Sequence, residues 1–271
     1  MTKALHTVPV VGASLVAETQ GQGNPLVLVH GFADDRQTWN NVSGELCCGR
    51  QIIRYDLRGY GESEEHGDAP FRHAHDLLHV LDRLKIGQCD LLGVSMGGSI
   101  SLNFALDYPE RVSRLILISP GLVGWEWSEE WKDLWARISS TARSGDMAKA
   151  RDLWLNHPIF EKARRNPPTA EYIKDSVARY SGRHWISDNE EPAYPDLDRL
   201  VTLKIPTLLL TAACDLPDFR LIADLIAAAV PNVRRVDIQN AGHVLHLECP
   251  DEIVSRVSRF VDSPRNLLAK R

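Results

Sequence analysis

No run of apolar residues in this 271-residue sequence approaches the length of a membrane span, so the chain is expected to stay out of the bilayer. Positive charge is in deficit too. Thirty-one Lys and Arg against 36 Asp and Glu leave a net charge of −5, which argues against nucleic acid or an anionic membrane surface as partner. Cysteine is scarce: Cys47, Cys48, Cys89, Cys214 and Cys249 are odd in number, and the first two are adjacent. They have neither the density nor the spacing of a disulfide framework or a zinc site, and read as small buried hydrophobes in a reducing cytoplasm. Residues 1–16 carry one lysine and a valine-rich run broken by Pro9 and Gly12, too interrupted for a signal-peptide core. What is present, 44% hydrophobic and 25% charged residues, suits a soluble globular domain with a substantial core.

Runs at 26–29, 52–56, 90–93, 115–118, 207–210 and 233–238, several of them uniformly apolar, read as strands, and 8–18 as a hairpin or two short strands around Gly12-Ala13. Helical spacing falls between them, at 37–46, 71–84, 96–107, 219–230 and 250–261, and the tail to Arg271 is expected to be mobile. This alternation predicts an α/β fold, a mostly parallel sheet covered on both faces. Ligands of such sheets sit beyond the carboxyl ends of the strands. His30, Ser95, Asp215 and His243 all come just after apolar runs and so converge on that edge.

One stretch breaks the alternation. Residues 121–195 show no strand but helical segments at 128–143, 147–155, 171–180 and near Trp185, together with six of the seven tryptophans. They read as a helical cap inserted into a core domain made of 1–120 and 196–271. Most of these tryptophans are accounted for by the insertion's own small core. One or two are expected to wall a substrate cavity, with Leu122, Trp125 and Trp154 the candidates.

The chemistry centres on Gly93-Val94-Ser95-Met96-Gly97-Gly98, which joins a strand directly to a helix. A G-x-S-x-G sequence in that context is a nucleophile elbow, in which a sharp turn exposes the serine hydroxyl at a helix N-terminus. A serine hydroxyl needs a base, and His243 in Asn240-Ala241-Gly242-His243 follows the last strand. His75 and His79 have metal-like spacing but no third ligand, so with His73 they read as a solvated helix face, and no metal or cofactor is expected. His246 reads as a local hydrogen-bonding residue near Glu248. Asp215, at the end of its strand, is the acid that orients His243. Asp218 competes, but it precedes the helix 219–230 and has the chemistry of an N-cap. The backbone N–H groups of Phe32 and Met96 are the expected oxyanion donors, from His30-Gly31-Phe32 and from the residue after the nucleophile.

These pieces resemble the α/β-hydrolase fold family over nearly the whole chain. The matching segments are His30-Gly31-Phe32, the turn Asp56-Leu57-Arg58-Gly59-Tyr60-Gly61-Glu62-Ser63, the Ser95 elbow, the run ending at Asp215, and Gly242-His243 before Glu248-Cys249-Pro250. The sequence is similar to cap-bearing bacterial carboxylesterases and enol-lactonase-like hydrolases. That likeness implies an eight-stranded, mostly parallel sheet and a Ser95–Asp215–His243 triad, with residues 56–63 a structural turn. It also implies cofactor-independent hydrolysis of a small carboxylic ester or lactone. A serine at this position argues against dehalogenase and epoxide-hydrolase chemistry, for which relatives use aspartate. Use of the same triad on C–C bonds or in proton abstraction, or a non-hydrolytic ligand receptor, are the alternatives. The oligomeric state stays open, a homodimer included.

Overall fold

The computed structural model describes residues 3–187 and 189–263. Nine strands form one sheet: β1 (Lys3–Val10), β2 (Ala13–Gly21), β3 (Asn24–Val29), β4 (Arg50–Tyr55), β5 (Glu64–Glu65), β6 (Cys89–Val94), β7 (Val112–Ile118), β8 (Thr207–Ala212) and β9 (Val233–Ile238). Their order is β1-β2-β4-β3-β6-β7-β8-β9, with the two-residue β5 paired to β2. From β4 onward every pairing is parallel, while β2 runs antiparallel to both of its path neighbours. Eight strands thus make the expected sheet, and β5 is an addition too short to leave a pattern in the sequence.

The strand order reverses at β3, where the chain goes out to β4 and returns to β6 on the other side. Two strands paired in parallel, with Val29 beside Gly93, therefore release their following loops side by side. This is the switch point at which open α/β sheets place ligands. Alternating side chains feed two cores: Val27 and Val29 face one, Leu26 and Leu28 the other. Helices α1 (Asn40–Leu46) and α10 (Pro250–Val261) cover the second face. The first is covered by α2 (His73–Arg83), α3 (Met96–Asp107) and α8 (Pro217–Ala229). A strand buried on both sides has no polar face to show, which is why the Leu26–Val29 run of β3 is apolar throughout, whereas β9 at the sheet edge is only partly buried and carries Arg234, Arg235 and Asp237.

Between β7 and β8 lie α4 (Glu129–Arg143), α5 (Met147–Leu155), α6 (Pro167–Arg179) and α7 (Arg183–Ile186). Helix α6 starts four residues before the predicted 171, because Asn166 caps it and prolines occupy its first turn. The short helix α9 (Leu245–Glu248) precedes α10. No described helix is long and apolar enough to cross a membrane. The tail beyond residue 263, expected to be mobile, lies outside the described residues.

Candidate active site

Ser95 occupies the single step between β6 and α3. Its backbone sits at φ 54 and ψ −118, a conformation that L-residues with a Cβ rarely adopt. The turn survives because surrounding chain packs too closely to allow another. A Cβ at Gly93 would come 2.1 Å from the Gly97 carbonyl oxygen, and one at Gly97 2.3 Å from those of Val29 and His30. Ser95 N–H donates to the Ile118 carbonyl at 2.9 Å, and the Ser95 carbonyl accepts from Ser99 and Gly121 at 3.0 and 3.1 Å.

The β3 loop passes directly alongside: a Cβ on Gly31 would stand 3.5 Å from that of Ser95. Its orientation is set by His30, which is fully buried. Leu57 N–H donates to His30 Nε2 at 3.0 Å, so the ring's proton is on Nδ1, which donates to the Gly31 carbonyl at 2.8 Å. With that carbonyl held, the Phe32 N–H on the opposite edge of the trans peptide is turned the other way. His30 is thus a positioning side chain, a role its sequence position alone left to the backbone of Gly31.

His243 is buried, and its Nδ1 lies 3.0 Å from both carboxylate oxygens of Asp215. Asp215 Oδ1 also accepts the Leu216 N–H at 2.8 Å, which fixes the carboxylate plane. On the far side of the imidazole, Nε2 is buried with no hydrogen-bond partner. Ser95 and His243 line the same cavity, whose volume is about 660 Å³. Glu248 steadies the loop that carries His243, its two oxygens accepting the N–H groups of Gly242 at 2.8 Å and Val244 at 3.3 Å. Burial raises the Glu248 carboxyl above its ordinary range, against the pull of those two bonds.

A family model described as the alpha/beta hydrolase fold matches residues 24–250. The chain belongs to the α/β-hydrolase fold family. It is 29% identical over 262 residues to a Bacillus subtilis (strain 168) protein named putative 2-succinyl-6-hydroxy-2,4-cyclohexadiene-1-carboxylate synthase, covering 88% of this chain and 90% of that one. It is 35% identical over 176 residues to a 2-hydroxymuconate semialdehyde hydrolase of Pseudomonas sp. (strain CF600), covering 60% of each. Among solved structures, the enol-lactonase from Burkholderia xenovorans LB400 superposes with a TM-score of 0.82 at 23% identity, over 95% of this chain and 100% of that one. That last likeness is one of fold.

In this α/β-hydrolase the cavity is walled mainly by aromatic and aliphatic side chains. Leu122 and Trp154 line it, as do Trp127, Trp131 and Trp135, so four tryptophans face it rather than one or two. Spaced by four, Trp127, Trp131 and Trp135 stack in series, with centroids 4.6 and 6.4 Å apart. Trp131 and Trp135 share one face of α4 at i, i+4, and Trp127 lies just before its N-cap Ser128. Phe219 links this stack to the site, 4.2 Å from the His243 ring and 5.3 Å from Trp127. Phe32 packs among Tyr60, Trp135, Trp154 and Tyr180, and with Met96 lines the cavity. Trp125 lies off the cavity wall, its indole N–H donating to Asp218 at 3.0 Å.

Asp218 is not an N-cap. Leu216 holds that position on α8, and Asp218 instead receives Trp125 Nε1–H, Ser128 N–H at 3.2 Å and the Ser128 hydroxyl at 2.6 Å. It fastens the start of the helical segment to the core. On the other side Tyr172 and Ser176 of α6 reach the β3 loop, and Arg179 pairs with Asp35. His246 bonds Thr38 at 2.7 Å rather than Glu248. His73 is buried beside Phe71, while His75 and His79 are exposed; no metal-holding cluster occurs among the described residues. Of the cysteines, all free, Cys47 and Cys89 are buried but Cys48 and Cys214 are exposed, against the expectation that all are core.

His157 gives a pH test of this packing. It is buried against Trp131 and Trp154, and its Nδ1 accepts the Ile159 N–H at 3.0 Å, which a protonated ring could not do. Burial first, then the nearby His243 and Arg164, push its pKa down from 6.5 to about 4. The unfolded chain binds that proton at the ordinary value, so this share of stability is full above about 6.5 and drains as pH falls towards 4. His157→Asn keeps an acceptor without titrating. Denaturant unfolding should show wild type losing about 3 kcal/mol more than the variant between neutral pH and the folded-state pKa. Parallel stability–pH curves would contradict a neutral buried ring.

Proposed function

We propose that this chain is a cofactor-independent serine hydrolase of carboxylic esters, lactones included, working through an acyl-enzyme. Ser95 attacks the carbonyl, and its proton passes to His243 Nε2 and on to the leaving alcohol. Asp215 holds the imidazole in the tautomer that leaves Nε2 free to accept. The N–H groups of Phe32 and Met96 take up the charge on the carbonyl oxygen. Water, deprotonated by the same nitrogen, then releases the acid. The observation that carries the reading is His243: Nδ1 held by both oxygens of one carboxylate, Nε2 unpartnered in the cavity that Ser95 lines.

The names of the relatives favour a second reading. One is a hydrolase of a 2-hydroxymuconate semialdehyde, so the same residues can be asked to cleave a C–C bond beside a carbonyl. A panel of p-nitrophenyl esters, lactones and a vinylogous dione decides between them. Ester cleavage with a pre-steady-state burst supports the acyl-enzyme; turnover of the dione with no ester cleavage would replace it.

The helices α4–α7 act in this reading as a cap that sets substrate range. Apolar walls contribute about 25 cal/mol per Å² of buried substrate surface, so they favour long or bulky acyl groups without touching the oxyanion. Leu122→Ala and Trp154→Ala should therefore shift relative kcat/KM along an ester chain-length series by about ten- to a hundredfold, with acetate esters affected least. An equal loss at every chain length would mean that these residues act on the chemistry itself.

A further inference from the structure

His243 is carried by the loop 239–244, between the end of β9 at Ile238 and the start of α9 at Leu245. Neither a strand nor a helix fixes the ring's direction there, yet its Nδ1 has to meet both oxygens of Asp215. One side chain takes hold of the loop on both sides of His243. The Gly242 N–H, one residue before, donates to Glu248 Oε2 at 2.8 Å. The Val244 N–H, one residue after, donates to Glu248 Oε1 at 3.3 Å. The Glu248 N–H donates in turn to the Val244 carbonyl at 3.0 Å, so 244–248 closes on itself as a bracket. On its other flank the loop is tied to the residue before Asp215, since the Cys214 N–H donates to the Ala241 carbonyl at 3.0 Å.

The carboxylate comes this close because residue 242 has no side chain. A Cβ on Gly242 would stand 3.0 and 3.4 Å from the two Glu248 oxygens, and 2.7 Å from the Cβ of Lys162 in the helical segment. The charged and titratable groups around the carboxylate are therefore His243 and Asp215, with Lys162 across the glycine. Two N–H groups need two acceptors. A carboxylate offers one on each oxygen, whereas a carboxamide offers a single oxygen and sets an NH2 group against the other donor. Residues 241–247 are all buried, so an N–H left unpaired there is costly. The cavity wall takes in His243, Val244, His246 and Leu247, while Glu248 lies off it. Its influence on a ligand runs through the loop.

We infer that Glu248 is a positioning residue for His243, and that it needs both oxygens of an ionised carboxylate to act as one. The inference deepens the ester-hydrolase reading and rests on it for its kinetics, though not for the geometry of the His243–Asp215 pair. One carboxylate then holds the imidazole by its ring, and a second holds it by its backbone.

Glu248→Gln tests this, because it keeps the size of the side chain and removes one acceptor. With p-nitrophenyl butyrate, kcat should fall about ten- to a hundredfold while KM stays within about twofold, as expected of a displaced base beside an untouched cavity. Proton NMR gives a readout that needs no turnover. The N–H between His243 Nδ1 and Asp215 should give a far-downfield resonance in wild type, identified by its absence from Asp215→Asn, and Glu248→Gln should lose it to exchange. Loop packing alone would move neither the kcat-against-KM split nor that resonance. Should the glutamine protein fail to melt cooperatively, Glu248→Asp takes its place: it keeps the charge but, one methylene shorter, reaches only one N–H and should show the same split. Native kcat, a resonance retained at wild-type strength, or a raised KM at unchanged kcat would each overturn the inference while leaving the hydrolase reading intact. If wild type cleaves no ester, that reading fails and the resonance alone decides: its loss in the variant keeps the positioning role, and its persistence removes it.

Discussion

A Ser95→Ala protein is expected to lose ester turnover by about five to six orders of magnitude while melting as the parent does. In the proposed mechanism the hydroxyl supplies the covalent step, so what would survive is catalysis by the oxyanion donors and by binding alone. The fold should not notice. Alanine keeps the Cβ that packs beside Gly31, and it inherits the same φ of 54, so strain at the elbow is unchanged. Initial rates on a p-nitrophenyl ester and a circular-dichroism melt measure the two halves. Near-native turnover would remove Ser95 from the mechanism, and a collapsed melting temperature would mean that the hydroxyl is structural.

Asp215→Asn should cost about four orders of magnitude in kcat, and the geometry says how. Asp215 Oδ1 accepts the Leu216 N–H, so an asparagine there would keep its oxygen on that donor and turn its NH2 towards His243. An amide N–H aimed at Nδ1 forces that nitrogen to accept, which moves the ring proton to Nε2, where it blocks uptake of the serine proton. Asp218→Asn is the informative contrast. Asp218 takes three hydrogen bonds from Trp125 and Ser128, so its change should lower the melting temperature and disturb substrate range, with the chemical step spared. At about 1 kcal/mol for each weakened bond, the loss should exceed that of a simple cap. If Asp218→Asn abolishes turnover at an unchanged melting temperature while Asp215→Asn stays active, the two assignments are reversed.

That contrast also marks where the sequence stops being legible. Local rules found the elbow because glycine spacing and an apolar strand are enough to demand it, and helix 96–107 emerged with its observed limits. They misplaced Asp218 because an acid in the first turn of a helix has the same local signature whether it caps that helix or holds another one. The partners that decide, Trp125 and Ser128, lie 93 and 90 residues away. His246 was misjudged for the same reason, since Thr38 is 208 positions distant. Phe219 carried no signal beyond being apolar in a helix, although it bridges His243 and the tryptophan stripe. The start of α6 is a different kind of miss, because Asn166-Pro167-Pro168 is a local helix-start signal that could have been read.

Covalent trapping tests the central claim most directly. The protein is incubated with a fluorophosphonate, digested, and the modified peptide sequenced by mass spectrometry. One equivalent of label on Ser95, absent from Ser95→Ala and strongly slowed in Asp215→Asn, is the predicted result. Label on another residue, or undiminished ester hydrolysis with Ser95 unmodified, would contradict it.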